Sequence, residues 1–301
     1  MRLSVSFLGL LVTVVTGLNG CASFTDLSQG GAEMAQVAIT EKPSGKRYPG
    51  KFVWHDLITP DFKLAGRFYE KLFGWQIEYR DRYAVVRNGN KLIAGILQLE
   101  STDEFAREGV WLPSVSVTDV KAAINRVEAN GGKILKGPVE MQRRGEAVLI
   151  SDPQRADLVL LKAKGGDPVD VEAAIGDWLW DELWTNDAEK LELFYQRVLG
   201  YDETVLGEGY DVFKSQKKWR AGIRHVADDV KHMLWVPVIR VVDPELIVQR
   251  VEELGGVVWI TPEEAPGNGD IALISDPTGA LLLIQRWASK NVSTETVKEE
   301  L

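Results

Sequence analysis

Two tandem copies of one small α+β module are predicted for this chain. The first observation is a repeat: Phe52-Val-Trp54-His-Asp56-Leu57-Ile-Thr59-Pro-Asp61 returns 126 positions on as Trp178-Leu-Trp180-Asp-Glu182-Leu183-Trp-Thr185-Asn-Asp187. Phe68-Tyr69 and Gly74 keep that spacing in Phe194-Tyr195 and Gly200. The second is a matching set 124 positions apart: Trp111-Leu-Pro113, Gly131-Gly132, Pro138 and Ser151-Asp152-Pro153 return as Trp235-Val-Pro237, Gly255-Gly256, Pro262 and Ser275-Asp276-Pro277. Length is the third, since 301 residues at 45% hydrophobic and 26% charged allow two cored domains of roughly 100–150 residues.

Within the first copy, Lys51–Thr59 alternates and is rich in aromatic and aliphatic residues, which predicts a strand. Asp61 follows as a helix N-cap, Leu64, Phe68 and Leu72 share one face, and Gly74 is the stop. Strands are expected around Tyr83–Arg87 and Leu92–Leu99, with Asn88-Gly89 as their turn. Leu112–Val117 reads as a strand, and Asp119 caps a helix that ends at Asn130-Gly131-Gly132. Strands near Lys133–Leu135, Ala147–Ile150 and Leu158–Leu161 complete two βαβββ halves, and Trp178–Trp287 repeats the plan.

The flanks read differently. Met1-Arg2 and the apolar run from Leu3 to Gly17 lead to Leu18-Asn19-Gly20-Cys21. The run is shorter than the roughly 20 residues of a membrane-spanning helix, so residues 1–20 read as a signal peptide. Its end resembles the bacterial lipobox, which implies that Cys21 is acylated and becomes the mature N-terminus. Asn19 departs from the usual Ala, Ser or Thr. Two or more acyl chains hold a protein stably on a bilayer, so the expected location is the cell envelope. Ala22 after the cysteine implies the outer membrane, facing the periplasm, if the cell has two membranes. Residues 21–50 read as the lipidated N-terminus and a flexible tether. The domains follow at 51–163 and 177–287, with a linker at 164–176 and a polar tail at 288–301.

A formal charge of −9 argues against nucleic acid and against a polybasic membrane patch. The single cysteine excludes an intrachain disulfide. The expected partners are the bilayer and a small-molecule ligand. The two units are expected to pack as a pseudo-dimer in a chain that is monomeric overall.

The opening strands leading to Thr-Pro-Asp or Thr-Asn-Asp resemble the vicinal oxygen chelate superfamily, the glyoxalase/bleomycin-resistance/extradiol-dioxygenase fold. So do the helix ends Leu72-Phe73-Gly74-Trp75 and Val198-Leu199-Gly200-Tyr201, the Gly-Gly helix stops and the closing Asp-Pro-x-x-Ala. The resemblance implies an open, cup-shaped sheet in each domain. Arg155 departs from it, standing where Gly279 makes the last turn of the second copy.

Metalloenzymes of that family hold a divalent cation with four His, Glu or Gln side chains, one on each of four strands. The resemblance carries the first position to Trp54 and Trp180, another to Leu112 and Val236, and the last to Val159 and Leu283. The remaining position falls near Ala94–Glu100 and Ala221–Val226, with Gln98 and His225 as the candidates. Indole and aliphatic carbons donate nothing to a cation, so no metal or other cofactor is expected.

The ligand-binding candidates are Trp54 with Asp56 and Trp180 with Glu182, each pair two residues apart on one strand face. Asp56 and Glu182 are also candidates for acid–base work, or they fasten their strands, and His55 is a further catalytic candidate, through a metal, if it turns inward. His55 is expected to point away from the cup, as a rim or exposed residue, unless a bulge turns it and Asp181 inward. Trp111 and Trp235 are expected in core or interface packing. Three functions follow: a metal-free binding protein, an enzyme of lyase or oxygenase type, or an envelope protein that meets another protein.

Overall fold

A computed structural model of the chain describes residues 34–99, 108–207, 209–228, 230, 233–266 and 269–288. Cys21, His232 and the tail from 289 lie outside the described residues. The first sheet comprises β1 (Phe52–Thr59), β2 (Gln76–Tyr79), β3 (Tyr83–Asn88), β4 (Lys91–Gln98), β5 (Val110–Ser116), β6 (Lys133–Met141), β7 (Gly145–Ser151) and β8 (Asp157–Ala163). Their order is β2-β3-β4-β1-β5-β8-β7-β6. The second sheet repeats that order with β9 (Trp178–Thr185), β10 (Glu203–Val205), β11 (Tyr210–Ser215), β12 (Lys218–His225), β13 (Leu234–Val241), β14 (Val257–Ile260), β15 (Ile271–Ser275) and β16 (Leu281–Arg286). Each sheet is two βαβββ halves joined by an antiparallel seam, β1 to β5 and β9 to β13. The edge strands β2 and β10 escape the sequence pattern because they are short, four and three residues. The tight turn before β4 falls at Gly89-Asn90, one residue later than expected.

Helices α1 (Phe62–Phe73), α2 (Val120–Ala129), α3 (Ala188–Leu199) and α4 (Pro244–Val251) cover one face of the sheets. Asp61, Asp119 and Asp187 accept hydrogen bonds from Leu64, Ala122 and Lys190 N–H, which satisfies first-turn donors. Gly74 and Gly200 end α1 and α3 at positive φ, where a side chain is strained. On α1, Phe62, Ala65, Phe68, Tyr69 and Leu72 are buried. Leu64, placed on that face by its spacing, is instead exposed.

The helix-side cores are shared between the units. One contains Val115, Val127 and Leu160 of the first unit with Phe194, Phe213 and Trp235 of the second. The other contains Phe68, Trp75 and Trp111 with Ile239, Ala272 and Ile284. Contacts across this interface come in reciprocal pairs. Arg126 donates to the Val198 carbonyl and Arg250 to the Leu72 carbonyl. The Tyr201 hydroxyl donates to the Gly50 carbonyl, and the Trp75 indole to that of Gly176. A Cβ on Gly132 would meet the Phe194 ring at 2.9 Å, and one on Gly256 the Phe68 ring at 2.7 Å. A twofold relation between duplicated units requires this reciprocity. Trp111 and Trp235 sit in these cores as expected, each donating its indole N–H to a tyrosine hydroxyl, Tyr69 and Tyr195.

Residues 34–50 are not a tether. Val37 and Ile39 are buried with Trp54, Tyr83, Leu97 and Leu161 on the face of the first sheet away from the helices. The Ala35 carbonyl accepts from Arg143 N–H, and residues 44–46 exchange backbone hydrogen bonds with 165–167. This stretch therefore fills the first cup.

Arg155 adopts φ 73° at the turn where Gly279 has φ 93°. A left-handed non-glycine residue is strained by about 1–2 kcal/mol, and Arg155 is exposed. Arg155→Gly is expected to raise stability by about 1 kcal/mol in urea denaturation, while Gly279→Ala lowers it. A destabilised Arg155→Gly would show that the side chain holds the turn.

Candidate functional site

The concave faces carry two polar clusters of the same composition. In the first, Trp54 and Asp56 lie on one face of β1 as their spacing predicts. The Trp54 indole donates to Asp56 Oδ1 at 3.0 Å, and the Tyr83 hydroxyl donates to the same oxygen at 2.6 Å. Arg144, from the turn before β7, pairs with Asp56 Oδ2 at 2.6 Å and donates to the Tyr83 hydroxyl at 2.7 Å. Its guanidinium carbon lies 5.2 Å from the Trp54 ring centre. Asp56 and Arg144 are 3% and 2% exposed. Burial opposes the charge on Arg144, but Asp56 and Tyr83 together hold its pKa above the ordinary arginine value.

In the second cup, Glu182 takes a bidentate pair from Arg224, at 2.8 and 3.0 Å. Arg224 also lies over the Tyr210 ring at 5.0 Å. The indole that approaches Glu182 belongs to Trp184, at 3.4 Å, and not to Trp180. The two arginines come from different places, a turn in one unit and β12 in the other. Tyr83 and Tyr210 correspond, each at the start of its strand, opposite Leu97 and Arg224 respectively. Gly95 and Gly222 face their own carboxylates across the sheet, and a Cβ on either would overlap the tyrosine hydroxyl. Mid-strand glycine signals this kind of close approach.

In the first cup, Trp54 is buried together with Val37 and Ile39. Beside Arg224 and Trp184, a partly open space of about 10 Å³, also lined by Ala265 and Pro266, has room for about one water. Trp54, Asp56 and Glu182 are thus buried and hydrogen-bonded within the fold.

The donor set does not fit a divalent cation. Trp54, Leu112 and Val159 offer no ligand atom, and a guanidinium already compensates the buried carboxylate of each cup. Gln98 is spent on the start of α1, accepting from Phe62 N–H at 2.9 Å. His225 pairs with Asp211 at 2.6 Å. No cluster of three or more His, Cys, Asp or Glu side chains is placed to hold a metal among the described residues.

The larger space lies between the units. A groove of about 580 Å³ is walled by Trp178, Trp180, Trp219 and Trp287, with His55 and Asp181 in its lining. Trp180 packs edge-on to Trp287, ring centres 4.8 Å apart. Lys51, Lys91, Lys217, Lys218 and Arg220 line it against Asp170, Glu172 and Asp181, so the groove is cationic in a chain of charge −9. Asp170 gathers Lys51, Lys218 and Arg220 at 3.3, 2.8 and 3.1 Å. Partial burial raises its pKa, yet Arg220 and Lys218 outweigh that and hold it well below the usual carboxylate range.

His55 points away from the cup, as expected, but it is neither exposed nor at a rim. It is 1% exposed, and its Nε2 lies 2.9 and 3.0 Å from the two oxygens of Asp181. The ring packs on Trp178 at 4.2 Å. His55 and Asp181 occupy the same position of the two copies, so they meet where the units face each other. Separate divergence of the duplicated units permits this pair; identical subunits would set like against like.

Arg144, Arg224, Tyr83, Tyr210 and Trp184 escaped sequence reasoning. Gly95 and Gly222 were the available signal for the tyrosines. The fact that His55 and Asp181 share a repeat position was the available signal for their meeting.

The model of the Glyoxalase/Bleomycin resistance protein/Dioxygenase superfamily matches residues 51–160. "Putative glyoxylase CFP32" of Mycobacterium bovis is 26% identical over 247 residues, covering 78% of this chain and 94% of that protein. "Anthracycline biosynthesis protein DauV" of Streptomyces sp. is 26% identical over 252 residues, covering 77% and 91%. Among solved structures, the Mn(II)-bound glyoxalase from Novosphingobium aromaticivorans superposes with a TM-score of 0.58 at 14% identity, covering 79% of this chain and 82% of that one. The 2,3-dioxygenase LapB from Pseudomonas sp. KL28 gives 0.56 at 13% identity, covering 81% and 94%. Residues 51–160 therefore form a domain of the glyoxalase/bleomycin resistance/dioxygenase superfamily, and the second unit repeats its βαβββ topology.

Proposed function

We propose that this chain is a metal-independent, ligand-binding member of its superfamily, held at a membrane through an acylated Cys21. The groove between the units takes the ligand, a small and partly apolar molecule. The observation that carries this reading is the groove itself, whose volume of about 580 Å³ lies within the range of small-molecule sites and whose walls include four tryptophans. Both cups, where the family resemblance places a metal, are filled by side chains and internal ion pairs. The names of the relatives, a glyoxylase and an anthracycline biosynthesis protein, are those of small-molecule chemistry.

The anchor rests on the apolar run that ends at Leu18-Asn19-Gly20-Cys21. No helix among the described residues is long and apolar enough to cross a membrane, so attachment in this reading is through lipid. Native mass spectrometry of the protein extracted from its own membrane is expected to show a diacylglyceryl-modified chain beginning at Cys21, without metal and with a bound small molecule. Cys21→Ser should abolish labelling by palmitate and release the protein. An unlabelled wild-type chain would defeat the anchor. Near-stoichiometric metal would defeat the metal-independent reading.

A further inference from the structure

The pair between His55 and Asp181 has a feature that packing alone leaves unexplained. A carboxylate only accepts hydrogen bonds, so the proton shared with Asp181 sits on Nε2, and in the neutral imidazole Nδ1 is then an acceptor. Nδ1 is buried and has no partner among the described residues. An unpaired buried acceptor costs about 1–3 kcal/mol, so the fold keeps a polar atom here that the chain itself does not satisfy. His55 is also part of the groove wall.

Three other properties restrict what can satisfy it. Trp180, Trp219 and Trp287 form an aromatic cluster, ring centres 4.8–6.1 Å apart and planes inclined at 49–78° to one another. Such faces favour a flat, aromatic body. Cations outnumber acids in the lining by five to three, counting Asp170, which is already shared by three of them. Lys217 makes no ion pair among the described residues and stands in a two-residue turn with Gln216, at φ 63° and 54°. The corresponding turn of the first unit is Gly89-Asn90, so Gln216 stands where Gly89 has φ 56° and Lys217 where Asn90 lies, and the second unit holds its lysine at a strained positive φ.

We infer that the groove recognises a planar aromatic anion that also carries an O–H or N–H donor. The ring lies on the tryptophans, the negative charge faces the lysines, and the donor is received by His55 Nδ1. This rests on the groove being the ligand site. It goes further in naming the ligand's chemistry and in giving His55 the role of acceptor, with Asp181 as the residue that positions it.

Calorimetric titration of the full-length chain in detergent, with three naphthalenes, tests it. The probes are 6-hydroxy-2-naphthoate, 6-methoxy-2-naphthoate and 2-naphthol. The hydroxynaphthoate is expected to bind at least tenfold more tightly than the methoxy compound, which keeps ring and charge but cannot donate. It should also bind at least tenfold more tightly than naphthol, which lacks the carboxylate. In the paired variant His55→Leu, Asp181→Leu, which leaves no unpaired charge, the hydroxy and methoxy compounds should bind equally. Lys217→Gly should weaken both naphthoates severalfold without touching the core. Equal binding of the hydroxy and methoxy compounds to the wild type overturns the role of His55 while the groove remains the ligand site. Binding of all three with one affinity overturns the choice of an anion as well. No binding by any of them up to millimolar concentration overturns both the inference and the groove as the site.

Discussion

Replacing Arg144 by methionine will destabilise the protein by about 3–5 kcal/mol, because it strands Asp56 as an uncompensated charge at 3% exposure. The loss is larger than packing alone predicts, since methionine fills much of the space the arginine stem occupies. Tyr83 and Trp54 would still donate to Asp56 Oδ1, but Oδ2 would lose its partner. Asp56→Leu should be costly for the mirror reason, leaving a guanidinium buried beside two aromatic rings. The double variant Asp56→Leu, Arg144→Met is expected to recover most of the loss. A buried pair exchanged for apolar side chains of similar volume is often neutral. Urea denaturation of the four proteins yields the coupling energy directly. A single-variant loss below about 1 kcal/mol would mean that water reaches Asp56 and that the first cup is open.

The same experiment bears on why the donor sets of these two cups do not fit a cation. A divalent ion requires several converging donors and excess negative charge. Here each cup holds one carboxylate, and an arginine has taken up its charge. That the arginines come from a turn in one unit and from β12 in the other indicates that the outcome, and not the position, is what the two units share. A covalently attached cation needs no supply and cannot dissociate, but it also offers no open coordination site for a substrate.

Local and periodic features were legible in the sequence. Asp61, Asp119 and Asp187 as caps, Gly74 and Gly200 as stops, and the repeat itself follow from rules that act within a few residues or compare the chain with itself. Trp54 and Asp56 were correctly placed on one face because strand alternation fixes it. Their partner Arg144 was not legible, since it lies 88 positions away and charged residues in turns are ordinarily solvated. The packing of His55 on Asp181 depends on how the units face each other, which no strand pattern contains. Residues 34–50 were read as tether because Gly, Pro and Lys break their periodicity. The alternation of Ala35, Val37 and Ile39 was the small signal of burial that composition concealed.

That segment supplies the other large expected effect. Val37 and Ile39, 4% and 3% exposed, lie over Trp54, Tyr83 and Leu97. Truncating both to alanine should weaken docking of the segment by about 3–6 kcal/mol, the range for removing buried aliphatic groups and leaving cavities. The whole protein need not lose that much. Once the segment detaches, global stability no longer depends on it, so the fall in the urea midpoint stops at the segment's own docking free energy. The local signature is steeper: tryptic cleavage after Lys46 and Arg47 should accelerate by roughly 10²–10⁴-fold if cleavage follows the open population. Arg47 and the residues around it are held by hydrogen bonds to 163–167, and these must open together with the plug for cleavage to occur. Tryptophan emission should shift to the red as Trp54 meets water, and the shift should vanish in a Trp54→Phe background. Equal cleavage of wild type and the double variant would show that Val37 and Ile39 do not hold the segment down, and that the first cup is closed by its own walls.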